Sequence, residues 1–318
     1  MAEPEPLGST RVARWKDDRK AAFLLMFDDS WPSHWQVAVP ELLKRGMTAT
    51  FYINPGKGEY KKFSGEWETN LWRQGMVYGN HTMTHQGATN VADADREITE
   101  CNRAILRMVP GNEPRLISWG MPGVKTWNLT PVETQQLLEK NHLISRPDFK
   151  NHGAVYHLKT TAEMLALADR AIATNGMEYL VIHGVERIKP NWSYQDFWAL
   201  KQDVFLPLLD ALKERRDAGQ LWITDHISMH KYATEQATAK VRVLDASERS
   251  LRLELTSAAA AQLYDAPLTL ITAVPAAWQQ CGIVQGTNRT VRLAAKGQLL
   301  FDAVPNGGTI TLQPAVSR

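Results

Sequence analysis

Four short stretches of this 318-residue chain place reactive side chains where they can act together. They are Phe27-Asp28-Asp29-Ser30, Gly79-Asn80-His81-Thr82-Met83-Thr84-His85, Ser118-Trp119-Gly120-Met121-Pro122-Gly123 and Val181-Ile182-His183-Gly184. His81 and His85 stand four apart, a spacing that on a helical turn presents two imidazoles to one metal ion. Asp29 adds a carboxylate oxygen, and the resulting set leaves coordination positions open for water and substrate, the mark of a catalytic site. Water held there loses a proton near neutral pH and becomes a nucleophile. Asp28 and Asp29 would point opposite ways along a strand, but at its end the chain turns and both can reach one cleft. Asp28 is then the acceptor for the proton of that water, and His183 the donor to a leaving group across the cleft. Taken singly, each feature has a plainer explanation: a histidine that caps or fills a core, an Asp-Asp-Ser turn, a structural histidine at a strand end. Their concurrence at the strand ends of one domain weakens all of these together.

The elements that must position them alternate from about Lys20 to Tyr232. Ala21–Phe27 is a continuous apolar run, as in a buried parallel strand. Thr48–Ile53, Met76–Tyr78, Leu116–Trp119, Leu143–Ser145, Tyr179–Ile182 and Leu221–Thr224 read as further strands. Between them Val37–Lys44 is helix-compatible, Thr130-Pro-Val-Glu133 and Thr160-Thr-Ala-Glu163 read as capping boxes, and Ser193–Asp196 resembles a third. This count of units favours an α/β fold closed or partly closed into a (β/α) barrel, whose chemistry lies at the carboxyl ends of its strands. Beyond the alanine- and threonine-rich stretch Ala233–Ala239 the pattern changes to period two in Val241–Val243, Leu251–Leu255, Val291–Leu293 and Thr309–Leu312, a small antiparallel β domain. The expected division is a disordered leader over 1–17, a catalytic domain over 18–236 and the β domain over 237–318.

Composition excludes several classes. Lys plus Arg number 36 against 34 Asp plus Glu, too even a balance for a dedicated nucleic-acid binder. No run approaches the ~20 apolar residues that span a bilayer. Two cysteines, Cys101 and Cys281, exclude a disulfide framework. The N-terminus lacks an apolar core and is no signal peptide as written; a periplasmic or secreted location fits if a signal was removed, a cytoplasmic one otherwise. The 11 tryptophans outnumber Phe and Tyr at 8 each, and Trp31, Trp35, Trp119, Trp127 and Trp192 fall in or near loops at the expected active face. Their indoles suit stacking on sugar rings, with Trp31 the first choice for a pocket wall, although most tryptophans are core or rim. Lys57, Lys61 and Lys62 read as a solvated basic patch.

Phe27-Asp28-Asp29-Ser30 resembles the TFDDG motif of the polysaccharide deacetylases, the NodB-homology carbohydrate esterases. His81-Thr-Met-Thr-His85 resembles their H[ST]xxH motif, and Leu180-Val-Ile-His183 their LxxH-like final motif. The resemblance covers about Lys20–Tyr232. It implies a distorted (β/α)7 barrel that removes acetyl groups from an oligo- or polysaccharide with one divalent metal, zinc first and cobalt or nickel as alternatives, since availability outranks affinity. By position it makes Asp28 the general base, Asp29, His81 and His85 the metal ligands, and His183 the general acid. Ser30, Trp31, Trp119, Gly123, Arg146 and Asp148 are the candidates for the substrate side of the cleft, with a backbone N–H near Gly123 or Val124 for the oxyanion.

The chain departs from the family at three places. Ser30 replaces a glycine. Trp119-Gly-Met-Pro-Gly123 keeps only the Pro and Gly of the third motif and lacks its base-orienting arginine, with Arg115 expected at the strand's other end. Ser145-Arg146-Pro-Asp148 is the nearest match to the fourth motif, which pairs an Asp with a Trp, and Arg146 or Asp148 is the candidate to orient the base. Two other readings stay open: a non-catalytic carbohydrate-binding protein on a degenerate scaffold, and a metal-dependent hydrolase of another bond. The expected partner is an acetylated glycan, not nucleic acid or membrane, and a homodimer is compatible with the sequence.

Overall fold

The computed structural model of the chain describes residues 5–148, 157–187 and 196–315. It divides into two compact units, Ala21–Ile227 and, together, Met1–Lys20 with Ser228–Arg318. The first strand, β1 (Thr10–Val12), belongs to the second of these.

The first unit is built on seven parallel strands: β2 (Ala21–Asp28), β3 (Thr50–Ile53), β4 (Val77–Asn80), β5 (Ile117–Trp119), β6 (Leu143–Ser145), β7 (Met177–Ile182) and β8 (Leu221–Thr224). Helices α1 (Val39–Lys44), α2 (Gly58–Lys62), α3 (Val91–Met108), α4 (Pro131–Lys140), α5 (Thr161–Thr174) and α6 (Gln202–Asp217) connect them, and α7 (His226–Thr238) follows. The sheet order is β6-β5-β4-β3-β2-β7 with β8 also paired to β2, and among the described residues no ladder joins β6 to β7. This is the expected distorted (β/α)7 barrel. β2 is buried at every position, because its apolar side chains must fill both faces of a central parallel strand. Phe27 stacks on Phe51 with centroids 4.8 Å apart, and Trp67 and Phe205 close the same cluster. Truncating such a ring to alanine costs about 3–5 kcal/mol. Thr130 and Thr160 each form the capping box read from sequence, so α4 and α5 start where their first turns are satisfied. Ser193 and Trp192 lie outside the described residues.

Register levels the strand ends. Ile53 lies opposite Asn80, Asn80 opposite Trp119, and Trp119 opposite Ser145. One residue further along each chain stand Asn54, His81, Gly120 and Arg146. On β2, Asp28 pairs with Tyr52, and Phe27 with Ile182, which delivers His183 beside Asp28.

The second unit is one antiparallel sheet. Its strands are β1, β9 (Lys240–Ala246), β10 (Leu251–Thr256), β11 (Leu268–Ala273), β12 (Gln280–Gln285), β13 (Asn288–Ala295), β14 (Gln298–Ala303) and β15 (Thr309–Pro314), in the order β1-β11-β14-β13-β12-β15-β10-β9. β10 shows the alternation expected of a sheet with one wet face, burying Leu251, Leu253 and Leu255. Two expectations are corrected. Residues 1–17 are not all disordered leader: Thr10, Arg11 and Val12 pair with Thr272, Ile271 and Leu270, and Ala13 and Trp15 are buried. An alternating Thr-Arg-Val segment beside an open strand edge gains a full ladder by adding to it. Nor does the boundary between the units fall at 236. Ala233–Thr238 continues α7, and the compact units part between Ile227 and Ser228, since an alanine-rich stretch is a strong helix former. Among the described residues no helix is long and apolar enough to cross a membrane.

Candidate metal centre and active site

The chain turns sharply after β2. Asp29 and Ser30 adopt left-handed backbone (φ 78° and 55°), which swings Asp29 to the same side as Asp28. Such conformations cost a non-glycine residue and persist only where neighbours enforce them. Here the Ser30 hydroxyl accepts the Asn54 N–H at 2.9 Å, and the Asp29 N–H donates to Tyr52 O at 3.2 Å. Ser30 is thereby committed to shaping the turn.

His81 and His85 do not share a helix, as their spacing suggested. They sit in a loop whose backbone is left-handed at Thr82 (φ 68°) and His85 (φ 60°). Asn80 explains the departure: its side-chain oxygen accepts the Thr82 N–H at 2.9 Å, offering the backbone a turn in place of a helix. The Glu97 carboxylate fastens the far side through the Thr84 N–H (2.8 Å) and hydroxyl (2.7 Å). The loop still brings the two rings together, with centroids 5.1 Å apart.

Asp29, His81 and His85 offer one ligand atom each, all within 4.8 Å of one another. Asp29 Oδ1 lies 3.2 Å from His85 Nε2 and 3.6 Å from His81 Nε2, separations that suit an ion about 2.1 Å from each. That oxygen is buried and accepts no hydrogen bond, a cost that a cation would relieve. His81 Nδ1 is hydrogen-bonded to Gly120 O at 2.8 Å, which fixes the ring and leaves Nε2 to the ligand set. Burial, with Arg146 and His85, lowers His81 to about 4 against the pull of both aspartates, so it is neutral at pH 7, as a ligand must be. Burial pushes Asp29 up, but its neighbours His81, Lys57 and His85 favour the ionised form and hold it below its ordinary value. These residues fit a divalent metal.

Asp28, 2% exposed, is gripped by both arms of Arg146 at 2.6 and 2.7 Å. Burial alone would raise its carboxyl; the guanidinium, with His81 and His183, overrides this and holds it well below the usual carboxylate range. Arg146 reaches Asp28 across the face of Tyr52, 4.3 Å from the ring centroid. A Cβ at Gly120 would come within 3.0 Å of the guanidinium and 2.9 Å of the Tyr52 ring, so the absence of a side chain there makes room for the clamp. The third motif's missing arginine is thus supplied from the end of β6. Arg115 is elsewhere, bonded to Val109 O.

His183 lies 3.8 Å from Asp29 Oδ2. Burial lowers its ionisation, Asp28 and Asp29 opposing. Behind it the fully buried His34 bonds to its carbonyl. Trp198 meets its ring edge-on at 5.3 Å and stacks on Phe197 at 4.1 Å, and both aromatics are exposed (38% and 49%). Asp196 takes the Ser33 N–H at 2.7 Å and pairs with Arg187. A Cβ at Gly184 would strike Asp196 Cβ at 2.6 Å. Sequence reasoning missed Asp196-Phe197-Trp198. The signal was available, since an Asp and a Trp occur together in the loop after β7, whereas Ser145–Asp148 was matched instead.

The other expected residues separate. Trp119, Gly123, Arg146 and Asp148 line one cavity of about 410 Å³, with Met121, Pro122, Ser145 and Pro147. The Asp148 carbonyl accepts the Tyr179 hydroxyl at 2.5 Å, and it is Arg146, not Asp148, that bonds to Asp28. Val124 N–H is bonded to Pro122 O at 2.9 Å, which leaves Gly123 as the oxyanion candidate. Trp127 bonds to the Thr134 hydroxyl and Trp35 packs on Phe63, so both serve the frame. Lys57 is not part of a solvated patch: its ammonium lies 3.6 Å from Asp29 Oδ1 and 4.7 Å from the centre of the Trp31 ring.

Residues 16–135 match the family model described as polysaccharide deacetylase, a stretch holding Asp28, Asp29, His81 and His85 but not Arg146 or His183. A gellan lyase from a Bacillus species is 23% identical over 343 aligned positions, which take in 98% of this chain but only 13% of that protein. Among solved structures, a family 4 carbohydrate esterase from Streptomyces lividans is 19% identical, with 63% of this chain and 90% of that one covered and a TM-score of 0.42. A family 4 pseudoenzyme from Bacillus anthracis is 14% identical, with 64% and 63% covered and a TM-score of 0.44. Motifs and family model agree over residues 16–135, the stretch that is similar to the polysaccharide deacetylases.

Proposed function

We propose that the barrel unit is a metal-dependent hydrolase that removes acetyl groups from an oligo- or polysaccharide. The observation that carries this is the Asp29–His81–His85 ligand set beside an Asp28 clamped by Arg146, with His183 on the same mouth. A divalent ion held there, zinc by preference, would polarise the acetyl carbonyl and acidify water. Asp28, kept ionised, takes the proton of the attacking water. Its two bonds to Arg146 fix the carboxylate plane. His183 delivers a proton to the departing amine or alkoxide, a step an amide needs more than an ester does. The N–H of Gly123 is the candidate donor to the oxyanion. Phe197 and Trp198 provide exposed rings on which a sugar can stack. Arg146, bonded to Asp28 by both arms where the third motif lacks its arginine, favours this reading over a non-catalytic scaffold.

Acetate release from acetylated chito-oligosaccharide, acetyl-xylan and peptidoglycan fragments by metal-loaded protein tests the reading. Asp29→Ala is expected to lose metal, measured as bound ion per chain, and activity with it. Asp28→Asn is expected to retain metal and lose turnover by ~10²-fold or more. Turnover by Asp28→Asn at the parent rate overturns the assignment of the base.

A further inference from the structure

Lys57 is placed where a deacetylase of neutral sugars has no evident use for a cation. It follows Asn54-Pro-Gly56 in the loop after β3, and its own N–H donates to Asn54 O at 3.0 Å. Its side chain is 23% exposed, its ammonium lies 3.6 Å from Asp29 Oδ1, and it covers the face of Trp31, itself 7% exposed. Holding a lysine in one such geometry sacrifices most of its rotamer freedom, so the contact is built rather than incidental.

Charge at the mouth makes the consequence plain. Among the described residues, Asp28 and Asp29 have two permanent cations within ion-pair reach, Arg146 and Lys57. The Asp196–Arg187 pair cancels internally. The ligand set is therefore balanced before any metal binds, and a divalent ion leaves it two charges positive. Asp29 would then serve as a ligand and both oxygens of Asp28 would stay with Arg146, so the Lys57 ammonium would share its carboxylate with the ion. Formation of the oxyanion moves one negative charge from Asp28 to the substrate and leaves that total unchanged, so it calls for an anion that the substrate brings.

The geometry points to Lys57 as the anion-recognising residue of the substrate cleft, and to an acidic glycan, one bearing a carboxylate near the acetylated position, as the preferred substrate. This rests on the deacetylase reading and deepens it. Lys57 sets which glycan is held, and takes no proton.

The test uses full-length metal-loaded protein and a matched pair of acetylated oligosaccharides, one with a uronic acid beside the acetylated sugar and one carboxyl-reduced to the alcohol. Binding is followed by tryptophan fluorescence in the Asp28→Asn background, where turnover does not interfere. The uronate is expected to bind about tenfold more tightly than its reduced partner, with the difference shrinking as salt rises. Lys57→Gln should abolish that preference and Lys57→Arg should keep it. Equal binding of the two sugars, or Lys57→Gln weakening both alike, overturns the proposal. If the parent protein cleaves neither sugar the deacetylase reading fails, and the binding preference decides the role of Lys57 separately.

Discussion

The two units treat buried polarity in opposite ways. In the barrel unit nineteen described polar or charged residues are buried, among them Asp28, Asp29, His34, His81, Arg146, His183 and Asp196; in the β unit there are four, Glu235, Thr269, Thr272 and Gln285. Backbone follows the same division. The barrel mouth holds Asp29, Ser30, Thr82 and His85 at positive φ, whereas the left-handed non-glycine residues of the β unit, Asp17, Asp18, Lys296 and Asn306, sit in the short turn after β1 and in the turns before β14 and β15. Buried charge and a left-handed backbone each cost stability, so a fold tolerates them in number only where neighbours are arranged to satisfy them. The contrast teaches that the barrel mouth is organised for chemistry and the sheet for packing.

Arg146→Met attacks this contrast hardest. It strands a carboxylate that is 2% exposed, and is expected to cost about 3–5 kcal/mol in denaturant unfolding. Acetate release should fall with it, and Arg146→Lys should not restore the rate, because a single ammonium cannot reproduce the two-armed grip. A fully stable, active Arg146→Met protein would remove the mouth's special standing.

Glu235 is the exception within the β unit, and a smaller effect is expected. Burial raises its carboxyl to about 7, against the N–H of Ala266 that donates to it at 2.8 Å and the nearby Lys231; Asp265 adds to the rise. The unfolded carboxyl titrates near 4.5, so between about 4.5 and 7 the folded form binds the extra proton. Stability is then highest below that window and is lost as pH rises through it. Glu235→Gln should gain a few °C in Tm at pH 8 relative to the parent and nothing at pH 4, read by calorimetry. An identical gain at both values would show that ionisation plays no part. Smallest of all, Leu293→Thr on β13, where the residue is 73% exposed, should change stability by no more than about 0.5 kcal/mol.

Much of the barrel was legible because its signals are local. The apolar run of β2, the capping boxes at Thr130 and Thr160, and the aspartate and histidine motifs can each be read from a few neighbouring residues. In the β unit, Leu251–Leu255 announced itself by alternation. β11 did not, since Leu268-Thr-Leu-Ile-Thr-Ala273 is buried on both faces and carries no period-two contrast. Lys57 was misread as solvated for a related reason: nothing in Gly56-Lys-Gly58 says what lies beneath it.

Sequence by itself determined the residue types available for the proposed metal ligands, base and acid, because a motif fixes side-chain chemistry and chain order. It did not determine the HxxxH geometry, where Asn80 overrides the helical reading, nor the partner of Asp28, which comes from 118 residues away. Those were decided by the register of parallel strands. Register is set by packing across the whole sheet, and only that packing brings Asp28, His81, Arg146 and His183 to one level.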